Sequence, residues 1–353
     1  MFAVVAGGVC GTFAESAAVA FASLAALKAQ RAAQGKTMVW ARVFLSDIIN
    51  QLPQASRQIE SLAQGCAVSV VEQAPLDASR ISIMACFLGH AAVERIAPDA
   101  WHIDCEGRSY IYHALRFSAA QAAGADAYRQ TVMAFEAHKK LLAEKAMTIS
   151  GNTLRTWLFC RDIDHTYAAI VKGRNDFFAA NGLTSDTHFI ASTGIGGYTP
   201  CTDAVVGVDF LSREGSDSDV QYLQALDYLN PTAQYGVAFE RGTAFTAGSS
   251  RVSLISGTAS IDNKGRCINL NDAAAQTARL IENTAALLAD AGATTRDLKM
   301  MIFYLRDAAD RESVERTMRE KLGDVPAVFT KAKVCRPGWL VEAESIAVRK
   351  TAE

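Results

Sequence analysis

The sequence predicts an α+β fold in which a β-sheet carries two helices on one face, and three patterns in the C-terminal third support this prediction. Two helical stripes of apolar residues each lie between a capping side chain and a glycine, from Asn271 to Gly292 and from Asp310 to Gly323. Residues 299–305 between them form a continuous apolar run, as expected for a strand covered on both faces. Sheets with helices on one side belong to the α+β class.

The last strand of this region has an unusual face. Alternation with a period of two places every second residue on the same side of a strand. Five side chains therefore share one row: Leu340, Glu342, Glu344, Ile346 and Val348. Two carboxylates interrupt this otherwise apolar face, and we expect the chemistry of the protein to centre on them.

The same order of elements recurs earlier in the chain. In the middle, the patterns predict strands at 110–118, 155–159, 188–193 and 204–210, and helices at 126–145 and 164–181. At the N-terminus they predict strands at 1–9, 39–45, 67–71 and 81–88, and helices at 12–34 and 56–64. Gln130 and Gln276 are 146 residues apart, and Asp162 and Asp307 are 145 residues apart. A nearly constant offset indicates duplication. We predict three units, 1–95, 105–212 and 235–350; two domains with an irregular N-terminal cap are the alternative.

The C-terminal unit resembles the Rid family, also called the YjgF or L-PSP superfamily, over roughly its last 115 residues. The matching residues, in the order of the family, are Ser256-Gly257-Thr258, Gln276-Thr277, Glu282-Asn283, Ala291-Gly292, Tyr304-Leu305-Arg306-Asp307 and Val341-Glu342-Ala343-Glu344. Rid proteins are typically homotrimers with clefts between subunits. The resemblance therefore implies a trimer fused into one chain, either a monomeric pseudo-trimer or a further homo-oligomer.

One departure from the family bears on activity. Rid proteins that hydrolyse imines carry an arginine just after a proline, about fifteen residues before the first closing glutamate. Here Pro326 is followed by Ala327 and Val328. The missing arginine counts against ordinary deamination of imines or enamines.

A second, narrower resemblance is to chorismatases, which are multi-unit Rid relatives that hydrolyse chorismate. It depends on Ser192-Thr193-Gly194-Ile195, on Arg155-Thr156-Trp157 and on Cys335-Arg336 followed by Leu340-Val341-Glu342. The resemblance implies that Glu342 protonates an enolpyruvyl group, that Arg155 holds a carboxylate and that Cys335 lines the ring pocket. Residues 234–243 depart from the expected pattern and are closer to uncharacterised bacterial Rid-like proteins.

The residues themselves support several of these assignments. A carboxylate in apolar surroundings beside a second carboxylate has a raised pKa, which suits Glu342 to general acid catalysis; the alternative is that the glutamates bind backbone amides or pair with an arginine. An arginine inside an apolar strand needs an acidic partner, so Arg155 pairs with a protein carboxylate or with that of a ligand. The remaining candidates for substrate binding are Thr193, Gly194, Phe239, Arg241, Gly257, Cys335 and Arg336.

Composition limits the classes of function. A net charge of −2 and a pI near 6.3 provide no basic surface for nucleic acid or membrane, so ribonuclease activity has no support. The eight cysteines and six histidines show no metal-ligand spacing, and no apolar run approaches the ~20 residues of a membrane span. We expect a cytoplasmic protein without metal or cofactor that acts on a small carboxylate substrate. The alternatives are an imine or enamine deaminase and a metabolite-binding protein without catalysis.

Overall fold

The computed structural model describes residues 1–351, and of Tyr235 only the backbone. Its first sheet has the strand order β1-β5-β2-β3. The strands are β1 (Phe2–Ala6), β2 (Lys36–Leu45), β3 (Ala67–Glu72) and β5 (Ile81–Gly89), and the helices that cover them are α1 (Phe13–Ala32) and α2 (Ile48–Ala63). The two-residue strand β4 (Ala74–Pro75) leaves this sheet and joins the third.

The second sheet has the order β10-β9-β11-β8-β7-β6. Its strands are β6 (Ala91–Ala97), β7 (Ala100–Cys105), β8 (Arg108–Leu115), β9 (Thr153–Cys160), β10 (Ala191–Gly196) and β11 (Val206–Arg213). The long helices α4 (Ala127–Ala143) and α6 (Ile163–Ala180) pack on it, with single turns at α3 (Ala119–Ala122) and α5 (Ile149–Asn152).

The third sheet has the order β12-β13-β14-β17-β15-β16-β4. Its own strands are β12 (Gln221–Tyr222), β13 (Gly242–Ala247), β14 (Ser250–Ala259), β15 (Leu298–Leu305), β16 (Ala327–Lys331) and β17 (Val341–Lys350). Helices α7 (Ala273–Asp290) and α8 (Arg311–Leu322) cover it, and short 3₁₀ turns lie at Thr232–Tyr235, Thr295–Asp297 and Ala308–Asp310.

One four-strand order occurs in all three sheets. It is β1-β5-β2-β3 in the first, β8-β11-β9-β10 in the second and β14-β17-β15-β16 in the third. The last two strands of each set run parallel and the other neighbours run antiparallel. The paired glutamines also make equivalent contacts, because Gln130 accepts from the amide of Val205 and Gln276 from that of Leu340, each at 2.8 Å. The predicted α+β class is confirmed.

Several local predictions differ from the structure. The hairpin β6–β7 belongs to the second sheet, so a first unit ending at 95 would cut through β6. Helix α2 was predicted at 56–64 but begins at Ile48. Asp47 caps it by accepting the amide of Asn50, and Pro53 removes only one internal hydrogen bond. Asp272, rather than Asn271, caps α7; Asn271 has a φ of 61° and lies in the turn before it. The unit boundaries stay predictions.

A buried charged network joins the three sheets. Arg42 of β2 contacts Asp209 of β11 at 3.2 Å and Glu344 of β17 at 3.5 Å, and Arg155 of β9 contacts Glu344 at 3.0 Å. All four side chains are nearly inaccessible to solvent. Buried ions need such partners, so removal of any one would leave a charge uncompensated. The network therefore fixes the register of the three sheets against one another.

Candidate functional site

A cleft opens between the second and third sheets. Seven of the sequence-predicted residues line it: Gly194, Phe239, Arg241, Gly257, Cys335, Arg336 and Glu342. Tyr167, Arg174, Ser192, Val237, Ala259, Ile261 and Trp339 complete the lining. The structure thus brings most of the predicted residues together in one place.

Glu342 lies in β17 on the face that alternation predicted, and only 4% of its surface is exposed. The register of the neighbouring strand shifts between Ile255 and Thr258, and Ser256 and Gly257 are the two residues in this bulge. A Cβ at Gly257 would overlap Oε1 of Glu342, so only glycine leaves room for the carboxyl group. The carboxyl group lies among the residues that line the cleft.

The environment of Glu342 favours its neutral form. Burial, followed by the charge of Glu344 two residues along the strand, raises the pKa of Glu342 to about 8. Arg155 and Arg241 oppose this shift without cancelling it. A carboxyl with such a pKa keeps its proton at neutral pH and can donate it, as a general acid must.

Glu344 has a different role. Its oxygens accept hydrogen bonds from Thr193 Oγ1 at 2.6 Å, Trp157 Nε1 at 2.9 Å and Arg155 Nη2 at 3.0 Å. Glu344 is therefore the structural carboxylate of the pair, and its charge raises the pKa of Glu342.

This arrangement bears on two of the residues predicted to bind substrate. The guanidinium of Arg155 is fully buried and is occupied by Glu344 and by Thr193 Oγ1, the latter at 2.5 Å. The hydroxyl of Thr193 also accepts the amide of Gly257 at 2.9 Å. Neither residue lines the cleft. Arg155 binds the carboxylate of Glu344 where the resemblance implied a substrate carboxylate.

Among the cleft residues that the sequence prediction missed, two come from α6. Tyr167 and Arg174 both come from α6, seven residues apart and hence on one face of the helix. Arg174 interrupts the buried row that contains Ile170 and Phe177. This is the same kind of signal that identified the two glutamates. The ring of Tyr167 packs on Gly194, where a Cβ would come within 2.9 Å of it.

Residues that precede β13 and β17 form the wall of the cleft opposite α6. Arg241 lies against the ring of Phe239 at 5.3 Å and donates to the carbonyl oxygen of Asn230 at 3.0 Å. Arg336 lies over the ring of Trp339 at 5.5 Å. Stacking of this kind holds a guanidinium in a fixed orientation beside the ring.

The turn that carries Cys335 and Trp339 is anchored from behind. Gln276 of α7 donates to the carbonyl oxygen of Gly338 at 2.9 Å and accepts the amide of Leu340. Burial raises the pKa of the Cys335 thiol to about 12, so it is neutral at physiological pH. Cys335 therefore fits a lining residue rather than a nucleophile.

The strand registers identify the positions that correspond to Glu342 in the other two sheets. Glu342 is opposite Tyr304, Gly207 is opposite Phe159, and Ser82 is opposite Phe44. Each of these aromatic residues precedes by three an aspartate that begins the next helical segment. Of the three equivalent positions, only the one in β17 carries an acid.

The residue that forms the floor of the cleft, Gly194, also differs from its equivalents in the other sheets. Each strand that carries one of these aromatic residues has a parallel neighbour, and in that neighbour Gly194 of β10 corresponds to Val70 of β3 and to Phe329 of β16. Larger side chains thus occupy the equivalent positions in the first and third sheets. Arg116 also fills the space next to Gly207, with its Cδ 3.2 Å from where a Cβ would lie, and donates to the carbonyl oxygen of Val70. The cleft between the second and third sheets therefore combines an acid on β17 with a glycine on β10.

Across residues 1–351, no group of three or more histidine, cysteine, aspartate or glutamate side chains is arranged to hold a metal ion. No helix in this part of the chain is both long and apolar enough to span a bilayer.

Comparisons with known proteins agree with this architecture. Residues 231–349 match the family model described as Endoribonuclease L-PSP. The 3-aminoacrylate deaminase RutC of Acinetobacter baylyi is 28% identical over 95 residues, which are 26% of this chain and 75% of RutC. A crystal structure of chorismatase superposes with a TM-score of 0.66 at 17% identity, over 88% of this chain and 93% of that one. A putative endoribonuclease L-PSP from Entamoeba histolytica, 17% identical, covers 37% of this chain and 99% of its own length with a TM-score of 0.33.

The sequence match and the fold match concern different lengths of the chain. The family model covers residues 231–349, whereas the likeness to the chorismatase fold extends over 88% of the chain. Residues 231–349 therefore match the L-PSP (Rid/YjgF) family model, and the chain as a whole has a fold similar to that of chorismatase.

Proposed function

We propose that the protein is an enzyme that hydrolyses a small anionic enol ether of the chorismate type, with Glu342 as the general acid. The observation that carries this proposal is a buried carboxyl group with a pKa of about 8 in an open cleft. The family relationship supports a small-molecule enzyme, and the chorismatase crystal structure supplies the fold.

The lining of the cleft suits an anion. Arg174, Arg241 and Arg336 reach it from different elements, and its one carboxyl group, on Glu342, is mainly neutral at pH 7. Guanidinium groups bind carboxylates through paired N–H donors, and an anion in a cleft of low dielectric is strongly attracted to them. A substrate with one or more carboxylates therefore matches the charge of the site.

The chemistry requires one proton and one water molecule. Glu342 gives its proton to the terminal methylene carbon of the enolpyruvyl group, which becomes a methyl group and leaves an oxocarbenium ion. Water adds to that ion and loses a proton, which restores Glu342. The resulting hemiketal breaks its carbon–oxygen bond to give pyruvate and an alcohol. General acid catalysis of this kind contributes about 10²–10⁴-fold to a rate.

A second candidate function is hydrolysis of a reactive imine or enamine. The similarity to RutC favours it, because RutC is named as a 3-aminoacrylate deaminase. Against it, Val328 is buried where imine-hydrolysing relatives have arginine, and the corresponding residue of β10 in the open cleft is Thr193. The hydroxyl of Thr193 is already bonded to Glu344.

The deciding experiment is incubation with chorismate and measurement of released pyruvate. We expect turnover by the wild type and a loss of at least about 10²-fold in Glu342→Gln. Glu282→Gln, the same change at a half-exposed residue of α7, is the matched control and should retain full activity. Turnover of freshly generated 2-aminoacrylate instead would support the deaminase. Tight binding of an aromatic carboxylate without turnover of either compound would indicate a binding protein.

A further inference from the structure

Tyr304 is a buried residue that the proposed mechanism does not use. It lies in β15 directly opposite Glu342, and none of its surface is exposed. Within the described part of the chain, its hydroxyl has no hydrogen-bond partner. A buried hydroxyl without a partner typically costs a protein about 1–3 kcal/mol. Such a group calls for an explanation beyond packing.

The corresponding positions in the other sheets show that the hydroxyl is not needed for the fold. Phe159 of β9 and Phe44 of β2 have the same register positions and are likewise buried. Those phenylalanines are opposite Gly207 and Ser82, which cannot act as acids at neutral pH. The phenolic hydroxyl thus occurs in the one strand pair that also carries the acid.

The surroundings of Tyr304 are charged. Glu344, Arg42, Arg155 and Glu342 all lie close enough to influence its titration, and burial raises its pKa well above the ordinary value. The phenol therefore remains protonated at any physiological pH and can only act as a neutral donor or acceptor. It cannot replace Glu342 as the acid.

The proton of Glu342 determines whether the hydroxyl is needed. A neutral carboxyl group in a buried cleft requires little stabilisation. Once the proton has gone to the substrate, a second negative charge appears two residues from Glu344 and away from bulk water. Tyr304 and Glu342 are register partners on antiparallel strands, where the Cβ atoms of opposite residues are about 4.5–5.5 Å apart, so the two side chains leave the sheet side by side on the same face. Hydrogen bonds to ionised groups are the strong ones.

We infer that Tyr304 is a positioning residue whose hydroxyl donates a hydrogen bond to the Glu342 carboxylate that forms when the acid gives up its proton. The inference builds on the proposed function, since it concerns the same acid. Tyr304 keeps its own proton throughout, and no atom is transferred to or from it. Other titratable or charged groups that face Glu342 are Arg155, Arg241, Tyr167, Arg174, Cys335 and Arg336.

The test is direct titration of the Glu342 carboxyl by NMR of protein labelled with ¹³C at the glutamate carboxyl carbon. Glu342→Gln assigns the signal. Tyr304→Phe introduces the residue that both other sheets carry at this position, so we expect it to fold with undiminished thermal stability. Loss of the donor should move the Glu342 midpoint upward by about one pH unit or more. Phe159→Tyr, which adds the hydroxyl opposite Gly207, is the matched control and should leave the midpoint unchanged.

Kinetics provide a second measurement. Tyr304→Phe should lower kcat/KM by about ten- to a hundredfold and shift its alkaline limb to higher pH, with little effect on KM. An unchanged midpoint in Tyr304→Phe would refute the role of the hydroxyl while leaving Glu342 as the acid. A wild-type Glu342 that titrates near its ordinary value would instead contradict the proposed function. The two failures are thus distinguishable.

Discussion

Replacement of Glu342 by glutamine tests the buried acid without knowledge of the substrate. Glutamine has the size of the neutral carboxyl group and does not titrate. Between pH 4.5 and about 8, the folded wild type retains the proton of Glu342 and the unfolded chain does not, because the ordinary pKa is 4.5 and burial raises it to about 8. The unfolded state then binds fewer protons, so the folded wild type loses stability as the pH rises through this range.

The magnitude follows from the same two values. Each pKa unit corresponds to about 1.4 kcal/mol, so a change from 4.5 to about 8 amounts to a cost on the order of 4–5 kcal/mol at pH 9. We expect Glu342→Gln to match the wild type in free energy of unfolding at pH 4 and to exceed it by several kcal/mol at pH 9. Other groups titrate in both proteins, and their contributions cancel in the difference.

The assay is chemical denaturation at a series of pH values. Glu344→Gln is the contrasting variant. It leaves Arg155 buried without its carboxylate and should destabilise the protein by about 3–5 kcal/mol at every pH in the range. If Glu342→Gln were no more stable than the wild type at pH 9, the carboxyl group would not be held in an unfavourable environment, and the reasoning would be refuted.

Three further outcomes are expected. Gly194→Val introduces the residue of the equivalent strand, Val70, against the ring of Tyr167; it should lower kcat/KM by roughly 10²-fold while the circular dichroism spectrum stays unchanged. Burial holds the pKa of His138 well below its ordinary value of 6.5. Between pH 7 and pH 5, the free energy of unfolding of the wild type, measured by denaturation, should therefore fall by up to ~2 kcal/mol more than that of His138→Leu. An equal fall in both proteins would contradict this. Cys335, with its pKa near 12, should be alkylated by iodoacetamide at pH 7.5 much faster after unfolding than in the native protein, as measured by mass spectrometry of its peptide, and rapid labelling of Cys335 in the native protein would argue against the raised pKa.

Much of the fold could be predicted from local patterns. Alternation in β17 placed Glu342 and Glu344 on a buried face, and the offset between Gln130 and Gln276 indicated the repeated order of strands. These features depend on neighbours in sequence or on a repeated motif, which a single chain reveals. The hairpin β6–β7 was missed because it extends one sheet beyond the repeated order, so no duplicate marks it.

The site was harder to predict, because its residues meet across two sheets. An arginine in an apolar strand requires an acidic partner, but the sequence could not show that the partner of Arg155 is Glu344 rather than a ligand. Arg174 interrupts a buried helical row, and this signal was present in the sequence. The openness of the cleft depends on Gly194 in place of Val70 or Phe329, which becomes visible only when the strand registers are compared.

The most direct test of the central claim is a crystal structure of the protein with 3-hydroxybenzoate. We predict that the ring lies in the cleft between the second and third sheets, next to Glu342, with its carboxylate bonded to at least one of Arg174, Arg241 and Arg336. A ligand bound instead beside Gly207 or Ser82, or elsewhere on the protein, would contradict the assignment of this cleft as the active site.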